Sequence, residues 1–201
     1  MSKQTIWTYL RGKGLPENAV AGIMGNMEAE SNCEAMRVQG DFTAGRTVSR
    51  SYAQSVNFGT LSPDRFCSDS KGWGLCQWTY WTRKQELYYF CQERGKGIED
   101  EETQLDFMLR EMERDFPVFW NLLQTADIAT VASRMCTDFE KPAVKNTAAR
   151  TEYAKQIYEQ FHGQEFPKET EDKEWILDGI EYWETVKADV QAKIDDLRGR
   201  L

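Results

Sequence analysis

Glu30 closes an apolar helical stripe, and a glycine-rich turn, Gly72-Trp73-Gly74-Leu75-Cys76-Gln77-Trp78, follows later in the chain. Val20, Ile23, Met24 and Met27 recur at i, i+3, i+4 and i+7, the period of a helix with one buried face. Glu30 stands three residues after Met27, so its carboxyl is expected on the edge of that face. Burial there disfavours the charged form and raises the pKa. A carboxylic acid that keeps its proton near neutral pH is what glycosidic cleavage requires, because it must protonate the leaving sugar oxygen.

The neighbours of Glu30 fit the same chemistry. Asn26 lies one turn earlier on the same face, where its amide can orient a sugar or the carboxyl. Ser31 can cap or hydrogen-bond locally. Glu28 is offset by about 200° around the helix and cannot share a groove with Glu30. In the turn, Gly72 and Gly74 permit close backbone approach and positive φ. Leu75 and Trp78 can anchor the turn in a core, and Gln77 can present an amide to an N-acetyl group or to the acid. The bland alternative is a solvated glutamate and an ordinary glycine turn. It is the coincidence of helix end, apolar neighbours and polar loop that singles out Glu30.

The bulk properties narrow the partners. The chain has 201 residues, 40% of them apolar and 12% aromatic, enough for one globular domain plus an appendage. Aromatics at this density fill a core or stack on sugar faces, and only a cluster beside the acid would favour the second reading. A net charge of −8 without a basic stripe argues against nucleic acid. It also suits adhesion to a polyanionic wall poorly, so recognition should come from a groove. There is one histidine, His162, and none of the five cysteines forms a CxxC pair, so neither a metal site nor a cofactor is expected. Buried free thiols are expected, with a Cys67–Cys76 bridge as the alternative. The start lacks an apolar export segment and no run is long enough to span a bilayer. Synthesis in a cytoplasm, with delivery by other means, is therefore expected.

The elements that must position these residues read almost entirely as helix. Periodicity predicts helices over about 4–12, from Pro16 to Ser31, and over 82–94, 100–114, 118–124, 127–140 and 146–161. Residues 32–72 read as a long functional loop with short strands around 46–49 and 55–58. A boundary is placed at 162/163. Beyond it, an acidic linker leads to a heptad-patterned helix of about 173–199, either a coiled coil that multimerises the protein or a helix folded back on the first domain.

Four ordered motifs resemble the phage tail lysozyme family: Gly25-Asn26-Met27-Glu28-Ala29-Glu30-Ser31, Gly72 to Thr79, Arg83-Lys84, and Phe139-Glu140-Lys141-Pro142-Ala143 followed by Arg150 and Tyr153. The resemblance runs from about Ile6 to Phe161. The Glu-Ser and Gly-Leu-x-Gln elements are also similar to goose-type lysozymes and lytic transglycosylases. The resemblance implies a mainly α, lysozyme-like domain whose cleft binds alternating N-acetylglucosamine and N-acetylmuramic acid, with Glu30 as general acid. It implies an aspartate that positions water, for which Asp69 is the candidate and Asp41 the rival. Glu140 is read as an anchor of helix packing through Arg150 or a backbone amide.

Two outcomes follow for the chemistry. If Asp69 holds a water opposite Glu30, the bond is hydrolysed; carboxyls roughly 6.5–9.5 Å apart would invert and roughly 5–5.5 Å would retain. If no second carboxylate reaches the cleft, the sugar's own 6-hydroxyl attacks and leaves an anhydro product. The competing function is a non-catalytic adaptor that keeps the fold and assembles through its C-terminal helix. Phage infection, host lysis and a secretion or conjugation machine are all compatible with the sequence.

Overall fold

The computed structural model describes residues 3–142 and 145–164; the heptad-patterned helix expected over 173–199 lies outside the described residues. The architecture is mainly α, as the periodicity predicts. The helices are α1 (Lys3–Gly12), α2 (Glu17–Ser31), α3 (Thr47–Asn57), α4 (Pro63–Ser68), α5 (Trp81–Glu93), α6 (Glu101–Asp115), α7 (Pro117–Leu122), α8 (Ile128–Arg134) and α9 (Thr147–Phe161). Among the described residues, extended pairing is limited to two isolated bridges, Val38 with Trp73 and Trp73 with Trp78.

Helix α2 is the hub. The sequence promised one apolar face, but every residue from Ala19 to Met27 is buried. A helix enclosed on all sides needs small residues where its neighbours come closest, and Gly22 and Gly25 supply them. A Cβ at Gly25 would lie 2.5 Å from the Arg150 carbonyl oxygen and 2.6 Å from the Ala154 Cβ, both on α9. One at Gly22 would lie 2.5 Å from Val131 on α8. The packing of α8 and α9 against α2 depends on these approaches.

Two expectations are corrected. The strands expected at 46–49 and 55–58 fall on helix α3, with Arg46 in the 3-10 turn before it and Phe58 capping its end. Its buried residues, Ser49, Ala53 and Val56, follow a 4-then-3 helical spacing that the small, polar composition obscured. The single helix expected over 127–140 ends as α-helix at Arg134 and continues as a wide π turn, Met135–Glu140. The Lys141 N–H closes it on the Cys136 carbonyl at 2.9 Å, and Lys141 adopts φ 52°. All five cysteines are free and buried, so the alternative Cys67–Cys76 bridge is not formed.

Candidate active site

Glu30 emerges in the last turn of α2 into a cleft of about 1210 Å³. Its side chain is 18% exposed, and Oε1 accepts a hydrogen bond from Arg150 Nη2. The second carboxyl of the cleft wall is Glu140, at the end of the π turn. Arg150 Nη1 donates to Glu140 Oε2 at 2.6 Å and to Asn26 Oδ1 at 3.0 Å. One guanidinium, itself buried, therefore holds Glu30 on one terminal nitrogen and Glu140 on the other.

The two carboxyls differ in burial. Glu140 is only 2% exposed, and its Oε1 has no hydrogen-bond partner among the described residues. Burial, reinforced by the nearby Glu30 charge, pushes the Glu140 carboxyl up to about 8 despite Arg150 and Arg83. The strongly desolvated carboxyl on the cleft wall is therefore Glu140, contributed by the π turn.

Arg83, on α5, steadies the π turn. Its Nη1 donates to the Phe139 carbonyl at 3.1 Å, and its guanidinium stacks 4.5 Å from the Phe139 ring centroid. Its other nitrogens bind the buried Glu111 of α6 at 2.5 and 2.8 Å. The position of Glu140 is therefore set from α5 and α6 as well as from α9.

The remaining residues singled out in the sequence fall into three groups. Asn26, Ser31, Leu75 and Trp78 are buried and absent from the cleft wall. Asn26 donates to the Gly22 and Ala132 carbonyls, each at 2.9 Å, and turns its oxygen to Arg150. Ser31 Oγ donates to the Leu75 carbonyl at 3.0 Å. Trp78 Nε1 donates to Glu111 Oε2 at 3.1 Å. These side chains build the wall from behind because each polar atom is already paired inside the protein.

Gly74 and Gln77 shape the turn. Gly74 has φ 75°, and a Cβ there would strike the Gln104 amide. Gln104 is fully buried; its Oε1 accepts from the Leu75 N–H at 2.9 Å, while its Nε2 donates to the Ala35 and Ile98 carbonyls at 2.9 and 2.6 Å. Trp73 and Trp78 exchange backbone hydrogen bonds of 3.1 and 3.0 Å and close the loop. Gln77 lines the cleft, with its Nε2 donating to the Arg37 and Gly74 carbonyls.

The aspartates stand apart from Glu30. Asp69 does not line the cleft. Its Oδ1 accepts from Lys84 Nζ at 2.6 Å and from the Lys71 N–H at 3.0 Å, and its Oδ2 accepts from the Tyr52 hydroxyl. Burial opposes its charge, but Lys84 and Tyr52 outweigh burial and hold the carboxyl below its ordinary value. Asp41 is buried and also off the cleft wall; bonds from Ser49 and Thr43 hold its carboxyl far below the usual range. Both aspartates are tied into the loop region between α2 and α5. Among the described residues, Glu30 and Glu140 are the carboxylates on the cleft wall.

Sequence reasoning missed the aromatic side of the cleft. Phe42, Tyr80 and Trp81 line it while remaining 85%, 63% and 52% exposed. The signal was present at Tyr80-Trp81, two large rings directly after the glycine turn, where a core role would have required burial. Arg37 and Lys141 add positive charge to the same wall.

The family described as phage tail lysozyme matches residues 2–161, spanning the elements from α1 to α9. No curated protein matches the chain.

Proposed function

The chain belongs to the phage tail lysozyme family, and from that premise we propose that it cleaves the β-1,4 bond between N-acetylmuramic acid and N-acetylglucosamine in bacterial peptidoglycan. Glu30 is the general acid in this reading. The observation that carries it is the placement of Glu30 at the end of a helix buried from Ala19 to Met27, facing a cleft with exposed aromatic rings. Rings such as Tyr80 and Trp81 offer flat apolar faces to pyranose rings. Arg37 and Lys141 suit a glycan that carries carboxylates.

The reaction runs as follows. Glu30 transfers its proton to the glycosidic oxygen while the C–O bond breaks and positive charge develops at the anomeric carbon. The leaving strand departs as an alcohol. A nucleophile then bonds to the anomeric carbon, and its proton returns to the Glu30 carboxylate.

The nucleophile favoured here is the 6-hydroxyl of the muramic acid itself. Inverting hydrolysis needs a carboxylate holding water on the face opposite the acid. Asp69 and Asp41 are paired elsewhere and do not line the cleft, and Glu140 is engaged by the same guanidinium that binds Glu30. Mass spectrometry of digested wall material tests this. The expected product ends in an anhydro sugar, lighter by one water than the hydrolytic product; a fully hydrated product would contradict intramolecular attack. The setting we propose is the bacterial cell wall during phage infection or lysis, as a virion-associated or lysis enzyme.

A further inference from the structure

Glu140 is a buried carboxyl that the reaction above does not use, and its surroundings give it a role. We infer that Glu30 and Glu140, bridged by the Arg150 guanidinium, carry a single proton as a pair, and that this proton is the one delivered to the glycan. The inference rests on the proposed wall-cleaving function and deepens it by naming Glu140 as the positioning residue that keeps the acid loaded.

A carboxylate paired only with a guanidinium is held as the anion, a poor state for a proton donor. Here one guanidinium meets two carboxyls. With both ionised, the cluster keeps an uncompensated negative charge, which is costly at Glu140, whose side chain is 2% exposed. With one proton bound, the cluster is neutral.

The orphaned atom points the same way. Glu140 Oε1 is buried without a partner among the described residues. An anionic oxygen there would lack any donor, whereas a neutral acid leaves less charge unsatisfied. The other charges that face Glu140 are Arg83 on α5, Arg150 on α9 and Glu30 on α2. The two arginines favour its anion, while burial and Glu30 oppose it and prevail. Arg83 is also neutralised by Glu111.

The transfer is balanced. The pair has two one-proton states, and in the one with Glu140 as the anion paired with Arg150, Glu30 carries the proton. Glu30 passes that proton to the glycosidic oxygen. The nucleophile's proton returns to the pair and restores the starting state.

The test is a pH titration of the side-chain carboxyl carbons by NMR, on protein labelled at glutamate. Glu140 should titrate near pH 8 in the unaltered protein. In Glu30→Gln its midpoint should fall by about one pH unit or more, because the like charge is gone. A Glu140 midpoint in the ordinary carboxylate range, or one that ignores Glu30→Gln, overturns the inference. On purified wall, Glu140→Gln should move the alkaline limb of activity to lower pH, and Glu140→Asp should restore it; an unmoved limb in a folded Glu140→Gln protein also overturns it. Failure of the functional reading is separately visible: the unaltered protein would then cleave no wall material at any pH.

Discussion

Ser31 and Leu75 are joined by a 3.0 Å hydrogen bond from the Ser31 hydroxyl to the Leu75 carbonyl. This bond ties the residue after Glu30 to the centre of the glycine turn, so the two sequence motifs form one piece of structure. The Met27 carbonyl of its own helix also lies 3.0 Å from this oxygen, so the single hydroxyl proton is shared between the two acceptors. Ser31 thus fixes where α2 ends relative to the turn, and with it the point at which Glu30 enters the cleft.

The Asp69 assignment has a direct test in stability. Lys84 is fully buried and relies on Asp69 at 2.6 Å, with the Lys71 carbonyl and Tyr52 hydroxyl beside it. Asp69→Asn leaves that ammonium without its counter-charge, at a cost of about 3 kcal/mol by analogy with broken buried pairs. Chemical denaturation should register the loss, while the chain-end chemistry of the muropeptides stays as in the unaltered protein. A folded variant that had lost one product class would instead place Asp69 in the reaction.

Gly25→Ala should destabilise the domain although alanine is the better helix former. Propensity favours the change by about 1 kcal/mol. The added carbon would meet the Arg150 carbonyl and Ala154 at 2.5 and 2.6 Å, contacts that only a shift of α9 can relieve. Overpacking of this kind costs about 1–3 kcal/mol. Because α9 carries Arg150, activity should fall further than the lost stability accounts for, as thermal melting and wall clearing measured together will show.

Trp81→Ala probes the aromatic wall. Trp81 is half exposed and stands at the first position of α5, so the fold should tolerate its removal. If it stacks on a sugar ring, KM for wall fragments should rise by roughly 5–10-fold with kcat little changed. Unchanged KM would move glycan recognition elsewhere in the cleft.

Glu140 links stability to pH. Its folded pKa is raised, so the folded state binds the proton more tightly than the unfolded chain does. The stability it contributes is complete below its unfolded value of 4.5 and is lost as pH rises through about 8. The Tm should therefore decline between pH 5 and 8, and Glu140→Gln should flatten that part of the curve.

The sequence made the helices and the entry of Glu30 legible because both depend on local apolar spacing. It identified the Glu-Ser and glycine-turn motifs, since glycine at Gly74 is dictated by backbone geometry. It could not show that Asn26, Ser31 and Trp78 face inward, because that depends on carbonyls and side chains distant in the chain: Ala132, Leu75 and Glu111. Gln104 left no trace for the same reason, being a polar residue among apolar neighbours on α6 whose three partners are distant backbone groups or across a loop. The Glu30–Arg150–Glu140 bridge joins α2, α9 and the π turn, and a π turn has no periodic signature that distinguishes it from the helix it continues.

The central claim concerns the acid, and Glu30→Gln addresses it most directly by keeping the shape and removing the transferable proton. Clearing of purified peptidoglycan should drop by at least ~10²-fold, the low end for acid catalysis, with the fold intact by circular dichroism. Full clearing by a folded Glu30→Gln protein would contradict the account.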